Sequence, residues 1–328
     1  SGNIHLHIPR TSVSRFREIF SVSDSSHASP AFRLWQRIAN IHARLDIDLL
    51  EWENLKYGPV QAHVQMQERN VFWNDVRIGL DSGYLKLKGY RLANPQPDMY
   101  MAVYIQLKNQ PIQEMIAGLG IFKSVISGNL TADGFLRSRG RDWKELVSNL
   151  SGEAKILAED GNINHSSVLI RILDWLSIQN LIQFRSPNTQ GNQFYYDRMT
   201  ADWSASNGLL VLKDGQLHSP VLAAAGTGEM DLKDRRLTAS VGIKPFGTLD
   251  AIVNRIPVVG YILSGDDQSI LTYYFQLKGI WPAIDITYQP LEKMGSSIIG
   301  YFERILLTPK HLLEILTPSE LPSPSIEQ

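Results

Sequence analysis

From residue 45 onward the chain keeps returning to a period of two. The run LDIDLL sets Leu45, Ile47 and Leu49 against Asp46 and Asp48. The run VQAHVQMQ sets Val60, Ala62, Val64 and Met66 against Gln61, His63, Gln65 and Gln67. Similar alternation recurs at 84–89, 101–107, 237–243, 271–279 and 284–288. Successive side chains of a strand point to opposite faces, so this period specifies strands with one apolar and one polar side. So many of them, punctuated by 24 Gly and 16 Pro, predict an extended antiparallel sheet. The dipeptides Asp133-Gly134 and Asp214-Gly215 read as tight hairpin turns within 127–140 and 208–237.

Stretches of helical spacing lie between the strands. Residues 112–126, 141–150, 166–183 and 291–307 each carry an apolar stripe, and 310–316 supplies a further turn or two. Residues 247–263 meet Pro257, which ends or kinks a helix there. Segment 31–44 follows Pro30 and has Phe32, Leu34, Trp35 and Ile38 on one side, which predicts another helix. The fold class is mainly β with α. The expected organisation is a leading strand, Ser-rich loop and helix over 1–44, a β-rich module with helices over 45–316, and a disordered tail over 317–328.

Two segments break the alternation. Leu209, Leu210, Val211 and Leu212 are apolar on both sides, as are Val221, Leu222, Ala223, Ala224 and Ala225. One reading is a strand held between the sheet interior and a covering helix. The other is a groove for an apolar ligand, with the three alanines leaving volume for it.

Composition excludes several classes of function. With 32 Lys+Arg against 33 Asp+Glu, the chain lacks the basic excess of a nucleic-acid coat. Cysteine is absent, which removes disulfide scaffolds, thiolate metal sites and Cys nucleophiles. No apolar run reaches the ~18–20 residues of a membrane span, and no signal-like segment opens the chain.

Neither a dinucleotide fingerprint nor a P-loop is present, and G-x-S-x-G is missing. His5 and His7 share a strand face, but no third ligand stands at a recognisable spacing, so no metal site is assigned. The carboxylate pairs Asp46/Asp48, Asp231/Asp234 and Asp266/Asp267 are read as solvated faces and turns. A glycosidase would need two carboxylates converging about 5–10 Å apart in one cleft. Arg137, Arg139 and Arg141 form a positive row on one strand face. A solvated face is its default reading, and contact with anionic lipid headgroups is the alternative. No catalytic residue and no cofactor are expected.

The order of features carries a resemblance. SGNLTADGFLRSRG is followed by a short helix and then Leu150-Ser151-Gly152, a strand, and Asp160-Gly161-Asn162-Ile163. FYYDRMTADW, IPVVGYILSGDDQ and FQLKGIWPAIDI follow in turn, and the 291–313 segment closes the series. Over about residues 45–315 this resembles the C-terminal module of AsmA-like proteins, the AsmA, YhdP and TamB type of bridge-like lipid transfer protein. The resemblance implies a curved β-sheet trough with amphipathic helices at its end and an apolar inside. It also implies a non-enzymatic role in phospholipid binding or transport between inner and outer membranes, in the periplasm. Full-length members are tethered to the inner membrane by an N-terminal helix. The present chain shows no such anchor and opens in the strand NIHLHI, so it reads as a fragment of a longer one. The expected partners are phospholipids and the two membranes, with no nucleic acid. The candidate lipid-groove residues are Leu209, Val211, Val221, Ala223, Ala225, Leu237, Ala239 and Val241. A structural envelope-assembly module without a lipid path and a carbohydrate-active enzyme remain the alternatives.

Overall fold

The computed structural model describes residues 2–12, 40–52, 55–68, 70–80, 82–93, 98–113, 126–164, 193–245, 272–281, 283–290 and 296–306. They form one large, curved, open sheet of 15 strands. In chain order these are β1 (Gly2–Ser12), β2 (Asn40–Trp52), β3 (Leu55–Tyr57), β4 (Val60–Gln67), β5 (Asn70–Gly79), β6 (Tyr84–Ala93), β7 (Met99–Pro111) and β8 (Asn129–Gly140). They continue as β9 (Ser151–Asn164), β10 (Gln193–Ser206), β11 (Leu209–His218), β12 (Leu222–Asp231), β13 (Arg236–Pro245), β14 (Tyr273–Ile280) and β15 (Ala283–Tyr288). Two helices are described, α1 (Trp143–Ser148) and α2 (Ser296–Leu306).

Strand order follows chain order from β1 to β15, with the short β3 pairing only with β2. Every pairing is antiparallel except β1 with β2, which is parallel. Apart from β3, consecutive strands thus lie side by side throughout the sheet.

Three features differ from the sequence reading. Residues 40–44 open β2 instead of closing a helix, because the alternation Ile41, Ala43, Leu45 already runs through them. Asp133-Gly134 and Asp214-Gly215 lie inside β8 and β11, not at hairpin turns. A Cβ at position 134 would stand 3.2 Å from the Ala154 Cβ, so Gly134 serves close cross-strand packing. Asp160-Gly161 likewise falls within β9, with Asp160 in the left-handed region at φ 52°.

The turns are made elsewhere. Ser219 Oγ accepts from the backbone N–H groups of Val221 and Leu222 between β11 and β12. Asp231 accepts from those of Lys233 and Asp234 between β12 and β13, which lowers its pKa below the ordinary carboxylate value. These Asx and Ser turns satisfy backbone donors without glycine. The helices expected over 166–183, 247–263 and 310–316, most of 112–126 and the tail 317–328 lie outside the described residues.

Packing divides into two clusters on opposite sides of the sheet. The larger gathers Ala158, Leu217, Leu222, Ala224, Ile243, Tyr273, Phe275, Leu277 and Ile284, with Ile112, Ile163, Phe194 and Tyr196 at one end. The smaller places Phe302, Ile305 and Leu306 of α2 on Ala223, Ala225 and Tyr274. Helix α2 is therefore amphipathic for a reason, burying one stripe on the sheet. Lys244, also under this helix, donates from Nζ to the Leu306 carbonyl at 3.0 Å, capping its C-terminal end.

Candidate functional site

Cross-strand partners share a face, so the pairing register lets each side of the sheet be read as rows. One row runs Leu6, Leu45, Ala62, Val76, Leu87, Ile105, Gly134, Ala154, Trp203, Leu212, Gly228, Ala239, Leu277, Ile286. It crosses fourteen strands without a polar side chain other than the Trp203 indole. The next row begins at Ile4 and Ala43, passes Val64, Trp73, Gly89, Val103 and Leu136, and ends at Leu237, Gly279 and Ile284. A third begins at Ile8 and Ile47, passes Leu85, Leu107 and Ile156, and ends at Val241, Phe275 and Tyr288. None of the three holds a charged side chain. At the usual ~4.8 Å between strands, this apolar floor extends roughly 60 Å along the sheet.

Bulges keep the floor continuous. Trp73 and Val76 are three residues apart, as are Leu107 and Gln110, and Leu212 and Gly215. In each case the register shifts by one residue, so both members of the pair face the same way. Without the shift, a strict alternation would send the second half of each strand to the wrong side.

The opposite face is charged. Its rows include His7, Asp46, Gln61, Arg77, Lys86, Gln106, Asp133, Lys155, Asp202 and Asp214. Both signs are interspersed. His5 lies 2.6 Å from Asp46 and His7 3.1 Å from Asp48. The His5 hydrogen bond, with Arg44 beside it, lowers the Asp46 pKa. Asp133 accepts from Tyr104 and Gln106, and Arg77 and Lys86 both stack over Tyr84.

Access to the floor changes along the sheet. Leu6 is 42% exposed, most positions in the middle strands are half-buried, and Phe275 and Leu277 are only 2% and 7% exposed. Helix α2 packs on the other side, against the face that carries Ala223 and Ala225. It leaves the floor uncovered by that helix.

The eight sequence-nominated groove residues fall on both faces. Leu237, Ala239 and Val241 lie in the three floor rows, and Val221 packs against the same cluster. Ala223 and Ala225 face the other way, under α2. Val211 pairs with Glu229, and Leu209 with Asp231, on that same polar side. The two-sided apolarity of 222–225 thus reflects two cores, with Leu222 and Ala224 in one and Ala223 and Ala225 in the other.

The other sequence candidates are engaged in ordinary contacts. Arg139 is bound to Asp98 at 2.9 Å, and Arg141 to Glu145 at 2.6 Å beside the α1 N-cap Asp142. His5 and His7 have carboxylate partners, and no group of three or more metal-ligating side chains converges among the described residues. Asp266/Asp267 lies outside those residues. Two shallow clefts of about 400 and 390 Å³ each present one carboxylate, Asp98 and Glu229 respectively.

Sequence reading missed the middle of the floor. Leu87, Ile105, Ala154 and Trp203 belong to it as fully as the nominated residues. For Leu87 and Ile105 the signal was present in the alternation of YLKLKG and MAVYIQL. It was hidden in β8, where Gly134 and Ala132 carry little apolar mass. Among the described residues no helix is long and apolar enough to cross a membrane.

The model of the YhdP protein family matches residues 2–283. No match was found among curated proteins or solved structures.

Proposed function

The chain belongs to the YhdP family, an AsmA-like family of bridge-like lipid transfer proteins, and on that premise we propose that it is a non-enzymatic phospholipid-conducting segment of the cell envelope. The observation that carries this reading is the continuous apolar floor, partly exposed over much of its length and free of charge in three adjacent rows. Each acyl methylene withdrawn from water onto such a surface gains about 0.8 kcal/mol. The gain is non-directional, so neighbouring positions on the floor are nearly equivalent and a chain can shift between them. An acyl chain occupies about 15 Å of a bilayer, well short of the floor's length, which leaves room for movement along the sheet.

The path runs from β1 towards β15, and Val221, Leu237, Ala239 and Val241 line its far end. In the full-length protein this segment stands in the periplasm, tethered to the inner membrane, and passes phospholipid between inner and outer membranes. The charged opposite face keeps the trough in solution. Gentle purification followed by native mass spectrometry tests the reading. Copurified phospholipid is expected. A lipid-free protein that also fails to capture a photo-crosslinkable phospholipid overturns it.

A further inference from the structure

Charged side chains reach the apolar side of the sheet only near its rims among the described residues: Arg10 is paired with Glu51 at 2.6 Å, whereas Arg91 lacks such a partner. In β6 the floor positions are Leu85, Leu87 and Gly89, and the next residue on that face is Arg91. It pairs across the sheet with Val71 and Met101, and Met66 lies beyond Val71 in the same row. Its stem is explained by packing on these apolar neighbours, as long cationic side chains commonly do. The head group is not. Nε of Arg91 is buried and has no hydrogen-bond partner, and the Asp98 carboxylate at this rim is held by Arg139 instead.

A buried donor without an acceptor is destabilising, and more so when it belongs to a charged group. The cost has a use if an acceptor arrives with a ligand. Next to Arg91, the Trp73 indole nitrogen sits 2.7 Å from where a Cβ at position 89 would be, so Gly89 leaves room for the ring over the floor. A guanidinium on β6 and an indole N–H from the neighbouring β5 thus lie two residues apart in register on one face, where the apolar floor meets the rim. We propose that Arg91, with Trp73 beside it, is a phosphate-recognition point that holds a phospholipid headgroup while the acyl chains lie on Leu85, Leu87 and Ile105.

A guanidinium matches phosphate oxygens in a planar, two-pronged geometry, and low-dielectric surroundings strengthen the contact. The inference rests on the lipid-conducting reading and adds a headgroup preference to it. It selects phosphate-bearing lipids over uncharged ones of equal chain length, and it sets their orientation, headgroup at the rim and tails inward.

The test compares the wild-type chain with Arg91→Leu and Arg91→Lys. The probes are a photo-crosslinkable phosphatidylglycerol and a diacylglycerol carrying the same reactive chain. Capture is read by mass spectrometry, and thermal melting checks folding. Arg91→Leu should melt at or above the wild-type temperature and lose about tenfold in phosphatidylglycerol capture, with diacylglycerol capture unchanged. Arg91→Lys should retain intermediate capture, as a point charge without the fork. Equal capture of phosphatidylglycerol by wild type and Arg91→Leu overturns the phosphate point and leaves the lipid path standing. Equal loss of both probes also overturns it, since the residue then serves packing alone. A wild-type chain that captures neither probe overturns the lipid path and this inference with it. Inorganic phosphate titrated by calorimetry separates the remaining source. Binding lost in Arg91→Leu, with phosphatidylglycerol capture unaffected, assigns the site to free phosphate and overturns the headgroup assignment.

Discussion

Ala225 and Ala239 are small residues on adjacent regions of one sheet, yet they answer to different environments. Ala225 is 2% exposed beneath α2, whereas Ala239 is half-buried in the floor. An aspartate at 225 would place an unpaired carboxylate under the helix, at a cost of about 3–5 kcal/mol. Ala225→Asp is therefore expected to unfold at markedly lower urea. Ala239→Asp should lose no more than about 2 kcal/mol while abolishing lipid capture at that end of the floor, and lipid loading measured beside the urea curve separates the two effects. Tyr196 makes a second prediction at this scale. Its hydroxyl donates to the Ser127 carbonyl at 2.6 Å, and burial pushes its pKa up to about 12 from 10.0. Between those values the folded chain keeps a proton that the unfolded chain has released. Its contribution is thus complete below pH 10 and is lost as pH rises through about 12. Tyr301 and Tyr273 are shifted the same way by burial. Tyr196→Phe should flatten the alkaline fall in stability without removing it, and cost about 1 kcal/mol at neutral pH for the lost hydrogen bond.

Helix α2 shows how one element can be essential to folding and neutral to the proposed path. Phe302 is completely buried against Tyr274, with ring centroids 5.2 Å apart, and fills the space above Gly242. Phe302→Ala should cost about 3 kcal/mol or more. The loss should appear as faster amide exchange in α2 and along β12 to β14, with lipid capture in the middle of the floor unchanged because the helix packs on the other face. Lipid loss in parallel with α2 exchange would show the two faces to be coupled. Helix α1 is shorter and held by its cap. Asp142 accepts from the Glu145 backbone N–H at 2.8 Å, and Glu145 in turn binds Arg141.

Across the whole molecule, the property that matters is continuity. Fourteen strands contribute to one uncharged floor, so the path reading predicts capture at many positions, not at one. Photo-reactive side chains at Leu87, Ala154 and Ala239 should each form adducts with acyl chains. Substitutions at Lys88, Lys155 and Thr238, which face the polar side, should not. Adducts confined to a single strand would indicate a discrete pocket in place of a path. Mass spectrometry of proteolytic fragments distinguishes these outcomes.

Most of the strands and the polarity of their faces were already determined by the amino-acid sequence, because a period of two depends only on local backbone geometry. The strands LDIDLL and VQAHVQMQ show this, and the family resemblance was legible in the order of such segments. What the sequence left open depended on contacts distant along the chain. Asp133-Gly134 looks like a turn until Ala154 is placed across from it. The bulges at Trp73/Val76 and Leu212/Gly215 hide the true facing of those strands. The run 222–225 looks like one groove wall, yet its residues alternate between two cores. Arg91 sits two residues past the end of a clear alternation in YLKLKG, and only pairing with Val71 and Met101 puts it on the apolar side. Local pattern set which residues are strands. The register between strands, fixed by tertiary hydrogen bonding, decided which of them share the floor.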